Sequence, residues 1–262
     1  MKVNDQNIYI YRPAGNDTAL VEGSDFSTEK RQKINADLLK TYPNVEQVGF
    51  ISTTGLPQLM MAGGEFCGNA SRSAAYHYLK GKDGVIDLRV CDGTRVIRAG
   101  VSHGEAFAEI PLRDTLEKTV KKLASGVYQV DLLGIELFVI DGWMDDPAAI
   151  MESAKLWLEK LDHAHEDCQG IIFIKENQIA PVIKVKAINT LYYETACGSG
   201  SVAVALVEYF KKKTPVQLRL KQPSGQWITA QVDQNGAQIS GLVTQLSSFR
   251  YYNCFFTIEM WV

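Results

Sequence analysis

The chain carries one pattern twice, and this duplication constrains its fold more than any other feature. Cys67-Gly68-Asn69-Ala70-Ser71 opens one Ala-rich stretch, and Cys197-Gly198-Ser199-Gly200-Ser201 opens another 130 positions later. Asp87-Leu88-Arg89-Val90 and Gln217-Leu218-Arg219-Leu220 recur at the same spacing of 130, close to half of the 262 residues. Upstream, Gly15 to Gly23 (GNDTALVEG) matches Gly134 to Gly142 (GIELFVIDG). Each is followed by a capped helix and then by a Gln-led apolar run, Gln47-Val48-Gly49-Phe50-Ile51 in one half and Gln169-Gly170-Ile171-Ile172-Phe173-Ile174 in the other. Such a repeat predicts a pair of pseudo-symmetric α/β lobes, with the two Cys-led helix starts meeting at the cleft between them.

Hydrophobic periodicity supports the same order of elements. It predicts strands near 7–12, 47–52, 85–90, 95–101, 106–110, 127–131, 135–140, 170–174, 181–187, 216–220, 226–232 and 237–240, with another near the C-terminus. A helix is expected from Asp25 to Tyr42: Ser27 and Thr28 stand near its start, Ile34, Leu38 and Leu39 recur at helical spacing, and Pro43 stops it. A second runs from Asp145 to Leu161, with Asp146 as cap, Pro147 in the first position and Ile150, Ala154, Trp157 and Leu161 as its apolar stripe. Two more start just after Cys67 and Cys197.

With 46% hydrophobic residues the chain can bury a substantial core, and a net charge of -3 offers no basic field for a phosphate backbone or an anionic membrane. Neither nucleic acid nor membrane is an expected partner. The apolar run at the N-terminus breaks at Pro13, and no window reaches the length of a membrane span, so a soluble protein without a signal peptide is expected. Cys67, Cys91, Cys168, Cys197 and Cys254 form an odd, widely spread set without a CxxC pair. That points to a reducing, cytoplasmic setting. His163, His165, Asp167 and Cys168 are the one metal-like cluster, and they read as a polar helix exit, so no metal is expected.

Two matched cysteines have a chemical meaning. Inverting a carbon requires removing a proton from one face and returning one to the other, so two acid/base groups are needed on opposite sides. A thiol and a thiolate exchange those roles without a large free-energy gap. A residue at a helix N-terminus feels the positive end of the helix dipole and unpaired N–H groups, which lowers a thiol's pKa. The N–H groups of Gly68, Asn69, Gly198 and Ser199 are placed to hold an α-carboxylate as it gains enediolate-like charge, and no cofactor is then required. A lone Cys opening an Ala-rich helix is usually a small buried residue. Recurrence at one structural position in two diverged halves favours a functional reading for Cys67 and Cys197. Cys91 and Cys254, in strand contexts, and Cys168 read as packing.

At Gly15-Asn16-Asp17, Glu46-Gln47-Val48-Gly49, Glu65-Phe66-Cys67-Gly68-Asn69-Ala70 and Glu194-Thr195-Ala196-Cys197-Gly198-Ser199-Gly200 the chain resembles the diaminopimelate epimerase superfamily, over essentially its whole length. The resemblance implies two lobes, each a mixed β-sheet or barrel wrapped around a central helix, and a cofactor-independent reaction on a small-molecule amino acid. It sets the lobes at 1–115, with Cys67, and 116–262, with Cys197, a terminal strand over 250–262 packing back on the first; a homodimer is expected.

The departures are as informative. Diaminopimelate epimerases carry a Glu-Arg pair shortly before the second cysteine, where this chain has Ala187-Ile188-Asn189-Thr190-Leu191-Tyr192-Tyr193. They carry an Asn-Pro-His segment where it has Gly134-Ile135-Glu136-Leu137. The pattern EQVGFI at 46–51, EFCGNA at 65–70 and QPSG at 222–225 is closer to the histidine racemases of nicotianamine-like metallophore synthesis, and that resemblance places Glu46 near the substrate. Asn16 either touches the substrate's amino group or shapes its turn. Glu46 and Glu65 read as receivers of an α-ammonium or imidazole, or as solvated loop carboxylates. Tyr192, Tyr193 and Glu194 either line the cleft or pack. Proline-type racemases, hydroxyproline epimerases, phenazine-type isomerases and a ligand-binding or thiol redox protein are the competing readings.

Overall fold

A computed structural model describes residues 6–251 apart from 25, 53, 92, 162–167 and 187–188. The first half runs β1 (Gln6–Pro13), β2 (Asp17–Glu22), α1 (Thr28–Thr41), β3 (Val45–Ile51), β4 (Leu59–Met61), α2 (Gly68–Leu79), β5 (Gly84–Val90), β6 (Arg95–Ser102) and β7 (Glu105–Ile110). After α3 (Leu116–Thr119) and β8 (Val120–Ala124) the series returns as β9 (Val127–Leu132), β10 (Ile135–Asp141), α4 (Pro147–Lys160), β11 (Cys168–Lys175) and β12 (Gln178–Val185). It continues through β13 (Thr190–Tyr193), α5 (Gly198–Lys212), β14 (Val216–Lys221), β15 (Trp227–Asp233), β16 (Gly236–Gly241) and β17 (Val243–Tyr251).

Pairing repeats with the order. β1 and β2 are antiparallel, β2 and β3 parallel across the α1 crossover, and β3 and β4 antiparallel. β9 to β12 reproduce this pattern across α4. The expected mixed α/β fold with two pseudo-symmetric lobes is therefore the fold observed. The sheets nevertheless run across the halves. β16 pairs antiparallel with β7 inside a twelve-stranded sheet, and β17 returns to pair with β1 at the edge of a five-stranded one.

Local chemistry explains the helices. Ser27 Oγ caps α1 by accepting from Lys30 N at 3.3 Å, and the Asp146 carboxylate caps α4 by accepting from Ala148 N and Ala149 N. The amphipathic α1 and α4 bury Ile34 and Leu38, and Ile150, Ala154 and Leu158, on their sheets. α2 and α5 differ. Every residue from Gly68 to Ala75 and from Gly198 to Val207 is buried, the mark of a central helix with small or apolar residues all round. A helix so enclosed has a fixed N-terminus, and this holds the site.

Strand β2 is absent from the periodicity reading because Asp17–Val21 is buried on both faces and shows no alternation. β4 and β13 are too short to register, and β8 (VKKLA) exposes all but its first residue and shows no apolar alternation. Cys91 departs from its expected strand context: it stands in the turn after β5 with φ 52°. The His163, His165 and Asp167 positions, Cys254 and most of the predicted 250–262 strand lie outside the described residues; the C-terminal strand described is β17. Among the described residues no helix is long and apolar enough to cross a membrane, and no group of three or more His, Cys, Asp or Glu is arranged to hold a metal ion.

Candidate active site

Cys67 and Cys197 cap their helices in the same way. Their backbones have φ −131°, ψ 113° and φ −130°, ψ 110°, and each Sγ accepts from the N–H three residues on, Ala70 at 3.4 Å and Gly200 at 3.3 Å. Ser71 Oγ donates to Cys67 O at 2.8 Å, and Ser201 Oγ to Cys197 O at 2.7 Å. The repeated Cys-Gly-x-x-Ser motif is thus a repeated cap. In the second half, Gln222 Oε1 also takes the Cys197 N–H at 2.9 Å.

The two helix starts line one cavity. Its walls include Cys67, Gly68 and Asn69 from one half and Cys197, Gly198 and Ser199 from the other, together with Glu46, Gln47, Glu65 and Glu194. Of the residues singled out from the sequence, Asn16 and Tyr193 are not on the wall; Tyr193 packs against the core beneath α4. Asn16 is fully buried behind the wall, where its Oδ1 accepts from Asn69 Nδ2 at 3.2 Å. Tyr192 and Cys168 line the cavity as well.

Hydrogen bonds across the two halves fix this arrangement. Asn69 Nδ2 donates to Ala196 O at 2.9 Å, one residue before Cys197, and Arg72 Nη2 donates to Asn69 Oδ1 at 2.7 Å. Thr195 Oγ1 donates to Glu46 Oε1 at 2.5 Å and its N–H to Oε2 at 3.3 Å. Glu46 is therefore a built-in acceptor rather than a solvated loop carboxylate. Gln47 Nε2 donates to Glu194 Oε1 at 3.1 Å, and the Cys67 thiol donates to Gln47 Oε1 at 2.8 Å.

Sequence reasoning expected the helix termini to lower the thiol pKa values. The structure reverses that expectation. Burial pushes Cys67 up to about 12, reinforced by the charges of Glu194 and Glu65, and the N–H groups of Ala70 and Asn69 recover only part of the shift. Cys197 is raised by burial and then by Glu194. Burial also lifts Glu194 to about 7 against its hydrogen bond with Cys197, and raises Glu46. Arg72 is pulled down by burial to about 10 and stays cationic, with the charge of Cys67 acting in the opposite sense. Two thiols and several carboxylates thus share a dry wall with two helix N-termini, an arrangement suited to moving a proton and accepting a zwitterion.

Residues 7–247 match the family described as histidine racemase CntK N-terminal domain. The chain belongs to that histidine racemase family. It is accordingly an isomerase of the racemase and epimerase class. A curated histidine racemase of Fusobacterium nucleatum subsp. nucleatum is 27% identical over 265 residues, covering 96% of this chain and 98% of that one. Among solved structures, a PhzF-family phenazine biosynthesis protein of Bacillus anthracis superposes with a TM-score of 0.63 at 14% identity, covering 96% of this chain and 99% of that one. A hydroxyproline epimerase of Agrobacterium vitis with bound trans-4-hydroxy-L-proline gives 0.61 at 9% identity, covering 95% and 93%. These two show the shared fold.

Gln47, Arg72 and Gln222 had no assigned role in the sequence reading. Gln47 and Gln222 stood inside quoted motifs, EQVGFI and QPSG, which was the available signal. Arg72 gave none, because an arginine four positions into a helix normally reads as solvated.

Proposed function

We propose that the protein interconverts the enantiomers of histidine by passing the α-proton between Cys67 and Cys197 without a cofactor. The observation that carries this reading is the placement of two identically built cysteine caps on the wall of one cavity. One thiolate removes the α-proton and the opposed thiol returns one to the other face. The α-carboxylate binds the N–H groups at the head of α2 and α5, where it meets two positive helix ends that strengthen their hold as charge moves onto it.

The substrate's own charge completes the site. Its ammonium group offsets Glu46, Glu65 and Glu194, and lowers the cost of forming a thiolate beside them. An amino acid with a second basic group suits a wall carrying three carboxylates better than a neutral one does, and imidazole is such a group. The cavity encloses about 60 Å³, room for a few waters, so its walls give way as the amino acid enters. A reducing cytoplasm would keep both thiols available.

Incubation of the reduced protein with L-histidine and a panel of other L-amino acids in deuterated water tests the reading. Deuterium at Cα together with D-histidine is expected, with histidine turned over fastest. No exchange into any amino acid would overturn it.

A further inference from the structure

The two cysteines are joined by hydrogen bonds along the cavity wall. Cys67 Sγ donates to Gln47 Oε1, Gln47 Nε2 donates to Glu194 Oε1, and Glu194 is the hydrogen-bond partner of the Cys197 thiol. The amide of Gln47 is the middle link. Its oxygen only accepts and its nitrogen only donates, so its orientation is set by which neighbours hold protons.

A second amide in the site provides the contrast. Asn69 Oδ1 faces the Arg72 guanidinium, a permanent donor, and Asn69 Nδ2 faces the carbonyl of Ala196, a permanent acceptor. Asn69 therefore has one orientation. Gln47 faces a thiol and a carboxyl, and both can change from donor to acceptor.

We infer that Gln47 is a positioning residue whose amide turns over with each proton transfer, matching the charge state of Cys67 to that of Glu194 and Cys197. This rests on the two-cysteine reading above. Two protons are shared by Cys67, Cys197 and Glu194. In the form ready to act at Cys197, Glu194 has taken the Cys197 proton; Cys67 and Glu194 hold the pair and Cys197 is the thiolate. The α-proton then passes to Cys197 and the Cys67 proton to the opposite face of the carbon, leaving protons on Cys197 and Glu194 and a thiolate at Cys67. An unturned Gln47 would aim its carbonyl oxygen at that thiolate. Turned, it donates from Nε2 to Cys67 and accepts at Oε1 from the protonated Glu194. The observed orientation is the form with a protonated Cys67, and the turned one serves the reverse reaction.

Gln47→Met keeps the length of the side chain and removes the amide. Racemisation should fall roughly tenfold to a hundredfold in kcat, the scale of losing a hydrogen bond to a charged group, with KM changing far less. The specific readout is the pH profile of Cys67 alkylation by iodoacetamide, followed by peptide mass spectrometry. Glu46, Glu65, Glu194, Arg72 and Cys197 all face Cys67 or its neighbours, and their direct fields act with or without the amide. Glu194→Gln should shift the profile to lower pH in the native background, and by clearly less in Gln47→Met, where only the direct field remains.

Gln47→Glu serves as the second variant, near in shape but forced to share a proton with Glu194. A second carboxylate there raises both Cys67 and Glu194, so its racemisation optimum should move to higher pH. Equal alkylation shifts in both backgrounds, or an unchanged kcat in Gln47→Met together with an unmoved optimum in Gln47→Glu, overturn the inference and leave the two-cysteine reading standing. Native-like racemisation by Cys67→Ser removes that reading itself, so the two failures are separable.

Discussion

Gly68 and Gly198 meet over a single methyl group. A Cβ built on Gly68 would lie 2.7 Å from Ile239 Cδ1, and one built on Gly198 would lie 2.6 Å from the same atom. Ile239 sits on β16, the strand that pairs with β7 across the two halves. The missing side chains are what let the two helices approach head to head.

Gly198→Ala should consequently force the helix ends apart. Overpacking of this kind costs about 1–3 kcal/mol, visible as a lower urea midpoint, and racemisation should fall further than stability because the thiols separate. Adding Ile239→Ala removes the obstructing methyl and should restore part of both. Full activity in the single variant would contradict the head-to-head account.

The raised pKa of Glu194 gives stability a defined pH dependence. Its value of about 7 lies above the 4.5 of an ordinary glutamate, so the native state holds this proton more tightly than the unfolded chain. The stabilisation is complete below pH 4.5 and is lost as pH rises through 7, amounting to about 3 kcal/mol. The difference in unfolding free energy between the native protein and Glu194→Gln, measured by urea titration from pH 4.5 to 8, should decline by that order. A flat difference would show that Glu194 ionises normally.

Arg72 is fully buried, with Nη2 bonded to Asn69 Oδ1 and with Nε and Nη1 lacking a hydrogen-bond partner among the described residues. Asn69→Ala strips the guanidinium of that acceptor and should destabilise the fold by about 1.5–3 kcal/mol, the scale of losing a hydrogen bond to a charged group. In an Arg72→Met background the same change should cost much less. Chemical denaturation of the four proteins closes the cycle, and additive costs would mean that the two side chains act independently.

Glu46 is held in place by Thr195 from the opposite half. Glu46→Gln should raise KM for histidine about tenfold or more, the scale of losing a charged hydrogen-bond partner, while an amino acid with an apolar side chain loses less. Steady-state kinetics with both substrates checks this. Equal losses would assign Glu46 to the shared α-amino group instead of the side chain.

Much of the fold was readable beforehand because its rules are local. Ser27, Asp146 and Pro147 mark helix starts through hydrogen bonds made within three residues, and they lie where the caps form. β2 was not readable, since alternation needs one exposed face and this strand has none. Cys91 falls just past the predicted 85–90 strand, where the following Asp92-Gly93 is the local turn signal that outweighs the apolar neighbours.

The sequence alone determined that two equivalent helices begin with cysteine, since a repeat of Cys-Gly followed by Ser imposes the same cap wherever it folds. It also placed Glu65 and the glycines beside those caps by adjacency along the chain, and the family resemblance brought Glu46 to the same site. Only the tertiary structure decided that the thiols are pushed up rather than down, because a pKa depends on burial and on Glu194 and Glu65 acting through space. It alone brought Gln47 to Glu194, 147 residues away, and Arg72 to the interior. Desolvation and long-range hydrogen bonds belong to the packed molecule, whereas caps and repeats are written into consecutive residues.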